Sequence, residues 1–97
     1  MNNELANFSP QDRPVINPFY LFRWEDSQNA YVLLYPEGVV KLNDSAGEIL
    51  KRCDGRTLTE LTVDLQREFD ADAHEVERGV HKFLEESHAK GWIRRQA

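Results

Sequence analysis

Apolar side chains alternate with others in the first half of the chain and recur every three or four residues in the second, a pattern that predicts strands followed by helices. Tyr20, Phe22 and Trp24 stand at alternate positions, and Tyr31-Val-Leu-Leu-Tyr35 is a second run of strand-forming residues. The polar stretch Glu25-Asp-Ser-Gln-Asn29 between them reads as a hairpin tip. Pro36 presets φ for the second position of a tight turn and Gly38 suits its fourth, so Tyr35-Pro-Glu-Gly38 turns the chain into a strand over Val39 to Leu42. The product is a three-stranded antiparallel meander.

Three helices follow. Leu42, Ala46, Ile49, Leu50 and Cys53 form the apolar stripe of the first. Asn43, Asp44 or Ser45 serves as its cap, with Ser45-x-x-Glu48 as a candidate capping box and Asp54-Gly55 as its stop. Thr57-x-x-Glu60 opens the second, whose stripe is Leu58, Leu61, Leu65 and Phe69. Asp72-x-x-Glu75 opens the third, which carries Val76, Val80, Phe83 and Leu84 on one face as far as Gly91, and Trp92 and Ile93 then fold back as an apolar clasp. The fold class expected is α+β, winged-helix-like, a three-stranded antiparallel sheet followed by three helices. Residues 1–17 show neither period and contain Asn, Ser, Gln and Pro, so they are expected to form a flexible arm, leaving 18–95 as the domain.

Composition narrows the functions open to such a domain. With ~80 residues to pack, the core is small and a deep catalytic cavity would remove contacts the fold needs. The net charge of −5, from 17 acidic and 12 basic side chains, opposes a nucleic-acid partner, whose affinity rests on a basic surface. No apolar run is long enough for a membrane span and the N-terminus has no signal-peptide pattern, so the expected location is the cytoplasm. Cys53 is the only cysteine, which rules out an internal disulfide and leaves too few thiolates for a zinc or iron–sulfur site; no metal site and no cofactor of its own are expected. On the apolar stripe it reads as a small hydrophobe rather than a nucleophile. His74, His81 and His88 lie about 10 Å apart along the helix axis, too far to share one metal, and read as a solvated stripe. The aromatic residues Phe19, Tyr20, Phe22, Trp24, Tyr31 and Tyr35 read as core and sheet-face filling rather than a base-stacking platform. No catalytic residue is identified.

Several of these residues form an ordered set: Leu34-Tyr-Pro-Glu-Gly38, Val40-x-Leu42-Asn43-x-Ser45-Ala46-x-Glu48-Ile49-Leu50, Cys53-Asp54-Gly55 and Gly91-Trp92. Over roughly residues 13–93 the chain thereby resembles the pyrroloquinoline quinone (PQQ) biosynthesis protein D (PqqD) family. The resemblance implies a non-catalytic peptide chaperone, a recognition element of ribosomally made, modified-peptide pathways. Such a domain binds the precursor peptide and presents it to a radical S-adenosylmethionine enzyme, which joins a glutamate to a tyrosine of the peptide. The bound segment adds as a strand beside the third strand of the meander, in the groove between that strand and the third helix. On this chain the implied edge is Val39, Val40, Lys41 and Leu42, and the implied helix wall is drawn from Val76, Val80, Phe83 and Leu84.

The residues themselves suit that role, because the edge carries good strand formers and Lys41 is its only blunting charge. About four or five ladder bonds at ~0.5–1.5 kcal/mol each fall short of the ~8 kcal/mol that sub-micromolar affinity needs, so peptide side chains entering the groove must supply the rest. Val40→Pro is expected to weaken binding. Gly79 inside the third helix has two readings here, chance or close approach by the peptide or another element. Two alternative functions remain at this level. A winged-helix DNA-binding regulator would use the second helix, whose only basic residue is Arg67. A structural dimerisation domain would pair the same edge with its own copy, giving a homodimer.

Overall fold

A computed structural model of the protein describes residues 8–96. In chain order the elements are β1 (Pro14–Ile16), β2 (Leu21–Glu25), β3 (Ala30–Tyr35), β4 (Gly38–Lys41), α1 (Asp44–Lys51), α2 (Leu58–Phe69), α3 (Ala73–Ala89) and β5 (Ile93–Arg95). The meander forms as its turn chemistry requires: β2, β3 and β4 lie in that order, antiparallel, with Tyr35 opposite Gly38 across the Pro36-Glu37 turn. Leu33 and Val40 face each other in register and point to the core side, where Phe22 and Tyr31 stack with centroids 4.9 Å apart. Tyr20 also packs against the core, whereas Phe19 stands 81% exposed, so the expected core role holds for only part of the aromatic set.

Local capping sets the helix starts. Thr57 and Glu60 form both bonds of the expected capping box, Glu60 accepting from Thr57 N–H at 2.8 Å and Thr57 from Glu60 N–H at 3.1 Å. Asp72 caps α3 by accepting from Glu75 N–H, and Gly91, at φ 81°, follows its end. At α1 the cap is Asn43, which accepts from Ala46 N–H at 2.8 Å. The candidate box at Ser45 does not form: with Asn43 at the cap, Ser45 already lies inside the helix, and Glu48 binds Arg52 at 2.8 Å. Arg52 is buried and also reaches Asp64 at 2.6 Å, so one guanidinium ties α1 to α2. Gly47 lets α1 lie directly on the sheet: a Cβ there would fall 2.6 Å from Tyr31 Cδ2.

The arm expected over residues 1–17 needs correction from Phe8 onward; residues 1–7 lie outside the described part. β1 pairs antiparallel with β5, Val15 opposite Arg94, and forms a two-stranded sheet that no local pattern announced. Leu58 N–H donates to Asp12 O at 2.8 Å, and Asp12 binds Arg95 at 3.1 Å. The backbone N–H of Ser9, and after it the Arg95 guanidinium, hold the Asp12 carboxyl below its ordinary pKa. Phe8 is buried, edge-on to His88 and beneath the Arg95 guanidinium. His88 is therefore a packing residue rather than part of a solvated stripe, and burial lowers its pKa. The segment offsets its ordering entropy through these contacts with the far end of the chain.

Candidate functional site

The side of β4 away from β3 is an open sheet edge. Leu42 N–H donates to Tyr31 O at 3.0 Å, which makes this a hydrogen-bonded pair just beyond the strand. Bonded and non-bonded pairs alternate along an antiparallel ladder, so Val40, opposite Leu33, spends its N–H and C=O on β3. Val39 and Lys41 stand in the non-bonded positions opposite Leu34 and Val32. Their N–H and C=O groups point outward, and they are the backbone groups that this edge offers. Val40→Pro would therefore act by breaking the sheet's own ladder rather than by removing an outward donor.

A groove lies between the helices, and no β4 residue lines it. Lys41 ends β4 and Asp44 opens α1, a separation the chain covers in at most about 10 Å. Asp44, Ser45, Glu48 and Ile49 of α1 form one wall of a depression of about 380 Å³. Leu65, Phe69 and Ala71 close one end, and Val76, Gly79, Val80 and Phe83 of α3 form the other wall. The surface is largely apolar with a rim of acidic and hydroxyl groups. Phe69, at the end of α2, is 51% exposed although it belongs to the same stripe as the buried Leu61 and Leu65.

The structure separates the expected site residues into two groups. Val39 and Lys41 are exposed on the edge; Val40 is half-buried against the core, and Val76 and Phe83 are half-buried and line the groove. Leu42 and Leu84 are core residues that do not line the groove, and Val80 is buried at its floor. The α1 wall and Phe69 were not anticipated. Their only signal in the sequence was an apolar helix end followed by Ala71, which periodicity cannot distinguish from core.

Among the described residues that line the groove, the titratable side chains are Asp44 and Glu48. Cys53 is buried, donates to Ile49 O at 3.4 Å, and burial together with the Asp54 charge pushes its pKa up to about 12. Native protein at neutral pH should therefore react with a thiol reagent on the order of a thousandfold more slowly than urea-unfolded protein, as followed by absorbance with an aromatic disulfide. Among the described residues no group of three or more His, Cys, Asp or Glu could hold a metal ion, and no helix is long and apolar enough to cross a membrane.

The fold and the site together define a winged-helix-like α+β domain whose distinctive features are an open strand edge and an apolar groove between its helices. The family model for Coenzyme PQQ synthesis protein D (PqqD) matches residues 30–93, and the chain belongs to that family. A PqqA binding protein of Pseudomonas paraeruginosa is 46% identical over 83 residues, covering 86% of this chain and 90% of the relative. Another PqqA binding protein, from Methylococcus capsulatus, is 41% identical over 80 residues, or 81% and 84% of the two chains. The solution NMR structure of the PqqD truncation of Methylobacterium extorquens PqqCD superposes with a TM-score of 0.77 at 31% identity, covering 95% of this chain and 99% of that one. It is described as a functional and stand-alone recognition element for ribosomally synthesised, post-translationally modified peptides.

Proposed function

We propose that this protein is a non-catalytic chaperone of pyrroloquinoline quinone biosynthesis that binds the PqqA precursor peptide by strand addition to β4. It then presents the peptide to a radical S-adenosylmethionine enzyme. The observation that carries this reading is the outward set of N–H and C=O groups on Val39 and Lys41, with an apolar groove between α1 and α3 whose wall begins at Asp44, three residues beyond Lys41. An extended peptide paired there would place alternate side chains on the groove side with Val40 and the rest beside Val39 and Lys41. Four ladder bonds would contribute ~2–6 kcal/mol, and each large side chain fully buried in the groove a further ~1.5–3 kcal/mol. Two such side chains bring the total to ~5–12 kcal/mol, a range that spans the ~8 kcal/mol of micromolar affinity. The far edge of the added strand stays open, which leaves it within reach of an enzyme. The precursor is a ribosomal product, so the encounter belongs in the cytoplasm.

Titrating the isotope-labelled protein with PqqA peptide and following backbone amide resonances tests the reading. The largest shifts are expected at Val39 and Lys41, in the first turn of α1 and from Val76 to Phe83. Shifts confined to the outer face of α2, around Thr59, Val63 and Arg67, would overturn it.

A further inference from the structure

Gly79 lies in the interior of α3, where glycine weakens a helix relative to alanine. Nothing within the described fold calls for it. Its φ is not in the left-handed region, and a Cβ built at Gly79 meets no atom within 4 Å. Gly47 provides the contrast, since there the neighbouring Tyr31 leaves no room for a side chain. The space left by Gly79 opens outward instead. The residue lines the apolar groove beside Val76, Val80 and Phe83, and it also borders a shallow concavity formed by Glu75, Arg78, Lys82 and Glu85 on the solvent side of the helix. It is the low point in the α3 rim, between an apolar floor and a charged outer strip.

Building on the peptide-binding reading above, we propose that Gly79 is a specificity-determining contact: a bulky apolar side chain of the bound peptide seats in this notch, against the helix backbone. The glycine then serves the complex and weakens the free domain. The two effects have opposite signs in one substitution, which separates this role from a structural one.

Gly79→Ala and Gly79→Leu are to be compared with the wild type by thermal melting and by calorimetric titration with PqqA peptide. Gly79→Ala should melt about 2–8 °C higher, because the methyl group enters open space and improves the helix. Its affinity should fall ~3–10-fold, and that of Gly79→Leu more than ~30-fold, as the notch fills. Wild-type affinity in both variants would overturn the proposal while leaving peptide binding intact. So would a Gly79→Ala protein that melts lower than the wild type, since the fold itself would then require the glycine. Absence of binding by the wild type would remove the parent reading and this one together.

Discussion

Replacing Lys41 by proline is expected to lower affinity for the PqqA peptide by at least ~10-fold in a protein that stays folded. The Lys41 N–H points to the open edge, and its side chain is exposed, so neither contributes to the β3–β4 ladder or the core. Proline is tolerated on an edge strand when its missing N–H faced solvent, and the preceding Val40 is already in the extended conformation that proline requires. What is lost is one ladder bond, about 0.5–1.5 kcal/mol, together with space for the incoming strand, which the ring occupies. Titration calorimetry gives the affinity, and circular dichroism with thermal melting shows whether the domain is intact. Lys41→Ala, which removes the charge and keeps the donor, should bind within ~3-fold of the wild type if the backbone group is the contact. Undiminished binding by a folded Lys41→Pro protein would move the contact elsewhere, with β2, the opposite edge of the sheet, as the next candidate.

Truncating Leu84 to alanine should cost about 2–5 kcal/mol of stability, a large share of the ~5–15 kcal/mol of a small domain, and leave the binding surface in place. Leu84 has no exposed surface and packs in the core with Leu33, Leu50 and Leu61, so its loss leaves a cavity rather than an altered groove wall. The urea midpoint should fall with an unchanged slope, and the melting temperature by on the order of 10–30 °C. At a temperature where the variant remains folded, its peptide affinity should match the wild type within ~3-fold. Peptide binding lost from a demonstrably folded Leu84→Ala protein would return Leu84 to the binding surface.

These two residues also show how far one-dimensional reasoning reached. The stripe Val76, Val80, Phe83, Leu84 was correctly read as the inward face of α3, but an amphipathic face has a centre and a margin. Leu84 sits at the centre, against the other helices and the sheet. Phe83 and Val76 sit at the margin, half-buried, where the apolar surface continues past the point at which the protein itself covers it. Periodicity assigns the face and cannot assign the margin, which depends on where α1 and α2 end. Phe69 illustrates the same limit from α2. The open edge shows the same limit: the sequence assigns the strand Val39 to Leu42 to the edge, but in a ladder of period two only the pairing register separates Val40, bonded to β3, from Val39 and Lys41, which face outward.

What the amino-acid order settled by itself is local. The Pro36-Glu37 turn, the capping box of Thr57 and Glu60, the Asp72 cap and the stop at Gly91 act through groups within a few residues of each other, so they are readable wherever they occur. The family motifs are built largely from these same turns and caps. Only the folded molecule decided that the segment from Phe8 to Ile16 is packed, because its partners are Leu58, His88 and the β5 strand; Asp12 and Arg95, for example, are 83 positions apart. It likewise decided which backbone groups of the edge strand β4 face out, and that the three helices leave an uncovered apolar trough between them. A short-range signal carries the energy of a turn or a cap within itself, whereas an edge and a groove exist only where packing between distant segments stops.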